Sequence, residues 1–110
     1  MNLTLKQLRA FVALAETGTF TAAAKQLHVT PSALSLLIKE LESGIGMRLV
    51  ERTTRQTRLA PAGRDFLPPA RKLMEEFGRA VEGLREFQAS ERGVLRVACS
   101  PTYAAALVPE

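Results

Sequence analysis

A mainly α fold, with three short helices closed by a small β-hairpin and followed by one long helix, is predicted by three features of the 110-residue sequence. First, three apolar stripes at helical spacing follow one another, each bounded by a capping residue or a glycine. Second, two short β-prone runs flank a polar turn between residues 47 and 59. Third, apolar residues from Leu67 to Leu84 alternate steps of three and four, the spacing of a helix–helix seam.

Each element has a local reason. Thr4 opens the first helix, with Gln7 three residues on in the capping-box pattern. Leu5, Leu8, Phe11, Val12 and Ala15 are its expected buried stripe, and Gly18 its stop. Phe20 stands just before Thr21, read as the N-cap of a short helix over Ala22–Leu27 whose alanines permit close helix contact. His28 and Val29 make the turn. Thr30 caps the third helix, with Pro31 at N1, where the missing N–H costs nothing. Leu34, Leu37, Ile38 and Leu41 are its inward face; Ser32, Ser35, Leu36, Lys39 and Glu42 fall on other sides, and Gly44 and Gly46 end it. Met47–Arg52 and Thr57–Leu59 then read as strands around Thr53–Gln56. Helix, helix, turn, helix, basic hairpin is the order of a winged helix-turn-helix.

Pro61-Ala62-Gly63 opens the fourth helix, expected to reach about Ser90. Leu67, Ala70, Met74, Phe77, Val81 and Leu84 form its seam, with Phe66, Leu73, Ala80 and Phe87 alongside. A domain of 60 residues cannot cover a stripe on a rod of roughly 40 Å, so a second copy of the chain is its expected partner. Pro68 and Pro69 each remove a helical hydrogen bond, and a bend or local disorder is expected there. Gly93–Cys99 is β-prone and Pro101–Pro109 resembles a loop entering a helix, the first pieces of a further α/β domain. The expected organisation is a winged domain over 1–60, a linker helix over 61–90, and a hinge with a first strand over 91–110. The chain is thus read as a fragment of a longer protein.

The net charge of +4 is unevenly placed: residues 1–65 carry nine Lys/Arg against five Asp/Glu, residues 66–110 six of each. Arg48, Arg52, Arg55 and Arg58 fall within one short stretch. Such a concentrated positive field attracts polyanions, above all the nucleic-acid backbone. In a helix-turn-helix the second helix of the pair enters the major groove, its N-terminal end nearest the bases. Here that end is Thr30, Pro31, Ser32, Ser35 and Leu36. Hydroxyls there suit base edges or phosphates, the free N–H groups of the first turn suit a phosphate, and Leu36 suits a thymine methyl. Lys39 is placed for backbone phosphate. Thr30 and Ser32 also fit plain helix caps, which does not exclude DNA contact. Arg52 and Arg55 flank the hairpin tip at Thr53, where a wing reaches toward the minor groove.

The first 90 residues resemble the LysR-type transcriptional regulators. The matching words include Gly18-Thr19-Phe20-Thr21-Ala22-Ala23-Ala24, Leu27-His28-Val29-Thr30-Pro31-Ser32-Ala33-Leu34-Ser35, Gly46-Met47-Arg48-Leu49-Val50-Glu51-Arg52 and Leu59-Ala60-Pro61-Ala62-Gly63. The resemblance implies a homodimer on antiparallel linker helices, reading an interrupted inverted repeat in double-stranded DNA. It implies a tetramer for the full-length protein, with a small-molecule inducer bound in a C-terminal domain. By position, Thr30, Pro31, Ser32 and Ser35 correspond to the family's major-groove readers, and Arg52 and Arg55 to its wing contacts. Three departures stand out. Leu36-Leu37 replaces a frequent polar pair beginning with arginine, Val50 a usual phenylalanine, and Ala60 a usual threonine before the linker helix.

Other classes fit poorly. His28, the single histidine, has no metal-spaced or triad-spaced partner and reads as a structural turn residue. Cys99 reads as a small strand residue, and there is no dinucleotide-type glycine loop or His/Cys cluster. No enzyme, cofactor or metal is therefore expected in this segment. A pure oligomerisation module would need neither the Thr30–Ser35 segment nor an arginine hairpin. RNA is disfavoured because A-form grooves do not admit a recognition helix and aromatics for stacking are few. No apolar run approaches the roughly 18–20 residues of a membrane span. With no signal peptide and one cysteine, the expected location is the cytoplasm.

Overall fold

The computed structural model describes residues 2–52 and 57–93. The order is α1 (Leu5–Thr17), α2 (Phe20–Leu27), α3 (Pro31–Ile45), β1 (Val50–Arg52), β2 (Thr57–Leu59) and α4 (Pro61–Gly93). The expected helices, hairpin and long helix are all present, in the expected order. Thr53 and Arg55 lie outside the described residues, as do the strand expected beyond Gly93, Cys99 and the loop that follows. The chain divides into two units, residues 1–74 and 75–110.

In the first unit, capping chemistry sets the helix boundaries. Thr4 and Gln7 form the capping box: the Thr4 hydroxyl accepts from the Gln7 N–H at 3.1 Å, and Gln7 Oε1 accepts from the Thr4 N–H at 3.2 Å. Gln7 is itself buried, so this reciprocal pair satisfies a polar side chain inside the core. Gly18, at φ +87°, ends α1 in the left-handed conformation glycine tolerates best. The second helix begins earlier than expected. Thr19, not Thr21, is its N-cap, accepting from the Ala22 N–H at 3.1 Å, and this draws Phe20 into the first turn. His28 closes α2 at φ +59°, and the Val29 N–H reaches back to the Ala24 carbonyl at 3.0 Å. Gly46 ends α3, whereas Gly44 is helical; a Cβ there would meet the Leu3 side chain 2.5 Å away.

The core is built on Phe11, Leu14, Leu34, Ile38, Leu41 and Leu49, with Ala10, Ala13, Ala23 and Ala24 at the contacts between α1, α2 and α3. The buried face of α1 is therefore rotated from the expected stripe. Ala10, Ala13 and Leu14 are inside, while Leu8 and Val12 are partly buried at its margin. Alanines there let the three helices approach closely, which outweighs the greater apolar area of the leucines. The first turns of α4 belong to this core as well. Ala70 is fully buried, and Phe66 lies with its ring 5.4 Å from that of Phe11. Arg71 adds an exposed ion pair to Glu16 of α1 at 3.3 Å, worth little by itself.

The hairpin is antiparallel, in the register Val50↔Leu59, Glu51↔Arg58 and Arg52↔Thr57. Its base is held from two sides. The Ala60 N–H donates to the Leu49 carbonyl at 2.8 Å. Glu42, expected simply on an outer side of α3, instead accepts the Leu49 and Val50 N–H groups on one carboxylate oxygen, at 2.8 and 3.0 Å. Glu42→Ala is expected to cost about 2 kcal/mol, since it leaves two backbone donors at a partly buried site without a charged acceptor. In a domain of this size that lowers the thermal midpoint by roughly 10 °C. An unchanged midpoint in a circular-dichroism melt would show that water replaces the carboxylate at no cost.

In the second unit, α4 continues to Gly93. Pro68 and Pro69, where a bend or local disorder is expected, lie inside the same helix, within the first unit. Leu73, near the end of the first unit, and Phe77 and Leu84 of the second are exposed apolar residues, at 52%, 45% and 65% of their full surface. Among the described residues no helix is long and apolar enough to cross a membrane.

Candidate nucleic-acid interface

The sequence before α3 fixes how that helix starts. Thr30 is extended at φ −81°, ψ 156°, and its hydroxyl accepts from the Ala33 N–H at 3.1 Å. Pro31 has no N–H, and the Leu34 N–H is already bound to the Thr30 carbonyl at 3.0 Å. Among the described bonds this leaves the Ser32 N–H as the first-turn donor without a partner. The anion-binding capacity expected of this turn is thus narrowed to one backbone amide plus the Thr30 and Ser32 hydroxyls. Thr30 does act as a cap, and its own hydroxyl proton remains available to donate.

Leu34, Ile38 and Leu41 face the core, which turns the rest of α3 outward. Thr30, Pro31 and Ser32 are exposed, Ser35 is half-buried, Leu36 is exposed at 56%, and Lys39 is exposed. Ser32, Ser35, Leu36 and Lys39 stand at steps of three and four along the helix, so they share one face. Two hydroxyls, a methyl-bearing apolar tip and an ammonium along some two turns match the mixture of base edges and phosphates in a major groove.

Arg52, expected beside the hairpin tip, is the exposed last residue of β1. Its Nη2 donates to Ser35 Oγ at 2.9 Å, and its guanidinium lies over the Phe20 ring, 4.4 Å from the centroid. The end of β1 is thereby tied to α3 and to the start of α2. In the sequence Phe20 stands just before Thr21, a cap candidate, and no local spacing links it to an arginine 32 positions away. The expected seam residues also separate. Ala70 is enclosed in this chain's own core and Leu67 packs against it, while Met74, Phe77, Val81 and Leu84 lie further along α4.

Away from the outward face of α3, a groove of about 510 Å³ is lined by Leu3, Ile45, Met47, Leu49, Ala62, Asp65, Phe66 and Pro69. It is apolar apart from Asp65, so it presents no nucleophile with a base. Among the described residues no group of three His, Cys, Asp or Glu side chains is placed to hold a metal ion.

Comparison with known proteins agrees with this geometry. Residues 5–64 match the family model described as bacterial regulatory helix-turn-helix protein, lysR family. The uncharacterized HTH-type transcriptional regulator YbhD of Escherichia coli (strain K12) is 42% identical over 98 residues, covering 89% of this chain and 31% of that protein. The DNA-binding domain of CbnR, solved as a complex with DNA, is similar with a TM-score of 0.71 at 38% identity, covering 76% of this chain and 97% of that one. The DNA-binding domain of BenM, solved with catB site 1 DNA, gives a TM-score of 0.74 at 33% identity, covering 79% and 98%. The chain spans about a third of the length of curated relatives such as YbhD.

Proposed function

The chain belongs to the lysR family of bacterial regulatory helix-turn-helix proteins, and from that premise we propose that it is the DNA-reading part of a longer transcriptional regulator. It acts as a dimer joined through α4, each copy placing the N-terminal end of α3 in a major groove of an interrupted inverted repeat. The observation that carries this reading is the face formed by Ser32, Ser35, Leu36 and Lys39. It is held outward by a core-facing row on the same helix. Thr30 and Pro31 begin that face; Thr53 and Arg55, which the sequence assigns to the wing, lie outside the described residues. The relatives' greater length supports a further domain in the whole protein, and to that domain we assign control by a small molecule and the joining of dimers as tetramers.

Affinity selection from a pool of random duplexes, with sequencing of the retained fraction, tests this function. The expected product is an inverted repeat with half-sites about one helical turn apart. Retention without sequence preference would reduce the interaction to backbone attraction and remove the reading role of α3.

The dimer is supported by the apolar side chains that α4 leaves exposed, Phe77 and Leu84 among them, with Met74 and Val81 at the same seam spacing. Phe77→Glu is expected to raise the dimer dissociation constant about 30-fold or more, as for loss of a central interface anchor. Light scattering at micromolar concentration should show monomer, and operator affinity should fall with it. An unaltered dimer would place the seam elsewhere.

A further inference from the structure

Arg52 is positioned by two contacts that join three elements. The guanidinium lies over the ring of Phe20, the residue that opens α2, with Cζ 4.4 Å from the centroid, a cation–π contact that restrains the group. The fork geometry of that group then directs one Nη2–H at Ser35 Oγ, 2.9 Å away on the outward face of α3. An arginine only donates, whereas a serine hydroxyl offers one proton and two lone pairs. Arg52 therefore occupies a lone pair of Ser35, and the hydroxyl proton, which has no partner among the described residues, is turned to point elsewhere.

We propose that Arg52 is a positioning residue for base reading: it holds Ser35 so that its hydroxyl meets the major groove as a hydrogen-bond donor. A donor at that point selects base edges that accept, namely a purine N7, a guanine O6 or a thymine O4, over the amino group of cytosine. Without Arg52 the hydroxyl rotates freely between donating and accepting, and discrimination at that base pair falls. This rests on the DNA-reading role of α3 proposed above. It differs from a wing contact, in which the Arg52 charge itself would neutralise a phosphate.

The two roles separate experimentally on the duplex that the unaltered chain selects from a random pool. Ser35→Ala, Arg52→Lys, Arg52→Ala and the Ser35→Ala/Arg52→Lys pair are compared for affinity, base preference at each position and salt dependence. Arg52→Lys keeps the charge but loses the planar fork that lies over Phe20. Ser35→Ala and Arg52→Lys are each expected to weaken binding about three- to tenfold, the range for one neutral hydrogen bond. Both should flatten preference at the same base pair, the pair should be no worse than either single change, and the salt slope of Arg52→Lys should be unchanged. The proposal is overturned if Arg52→Lys keeps the base preference of the unaltered chain. It is also overturned if the two single changes affect different base pairs, or if Arg52→Ala lowers the salt slope by about one while Arg52→Lys restores it, as for a phosphate contact. An unaltered chain that shows no sequence preference overturns the DNA reading by α3, and the positioning role with it.

Discussion

Ser32→Glu is expected to lower affinity for the selected operator about 100-fold or more while leaving the thermal midpoint within a few degrees. Ser32 is exposed in the first turn of α3, and its side chain makes no bond among the described contacts. A carboxylate in the first turn of a helix faces the positive end of the helix dipole, so folding is not opposed. Against a duplex the same charge faces phosphates and acceptor-rich base edges, a like-charge juxtaposition that costs several kcal/mol. Each 1.4 kcal/mol is about tenfold in affinity. Ser32→Ala, which adds no charge, should lose far less. Fluorescence anisotropy on a labelled duplex gives both affinities. Equal binding by Ser32→Glu and the unaltered chain would mean that the start of α3 does not face DNA.

Gly63→Val is expected to remove at least about 3 kcal/mol of stability, beyond the usual range for an overpacked core position. The reason is what the new side chain would strike. A Cβ at Gly63 would fall on the Leu49 carbonyl oxygen, which is backbone rather than the movable end of a side chain. That oxygen cannot swing away freely, because it accepts the Ala60 N–H at 2.8 Å, the bond that continues the hairpin ladder into the start of α4. Either α4 leaves the hairpin or that bond breaks. At roughly 4–8 °C per kcal/mol for a small domain, the midpoint should fall by about 15 °C. A circular-dichroism melt unchanged within 3 °C would show that the helix shifts without loss. The Glu42 brace lies on the other side of the same joint, so the two substitutions together locate what holds the wing.

Local signals in the sequence carried most of the fold, and the misses share one cause. The Thr4–Gln7 box, the Gly18 stop, the Thr30 cap with Pro31 and the hairpin strands each depend on residues within a few positions of one another, and each was legible. Thr19 and Thr21 are chemically alike, two apart around Phe20, and local spacing does not choose between them; in the fold Thr19 takes the cap and Phe20 packs, partly buried, against the core. Leu8 and Val12 form as good a stripe on paper as Ala10 and Leu14, but the close approach of α2 and α3 selects the face with the smaller residues. Glu42 reaches seven and eight positions ahead to the hairpin. Arg52 reaches seventeen back to Ser35. No periodicity encodes either. Ala70 fits the seam spacing of α4 and is nevertheless enclosed by the first unit, because heptad spacing does not say which partner a face will meet. The outward face of α3 was legible because its apolar complement, Leu34, Ile38 and Leu41, is unambiguous.

The most direct test of the central claim is a map of backbone amide shifts as the selected duplex is titrated into isotopically labelled chain. The largest changes are expected at Ser32, Ala33, Ser35, Leu36 and Lys39, with the groove at Leu3, Ile45, Met47 and Phe66 nearly silent. Changes concentrated on that groove while α3 stays unmoved would contradict the assignment of α3 as the helix that reads DNA.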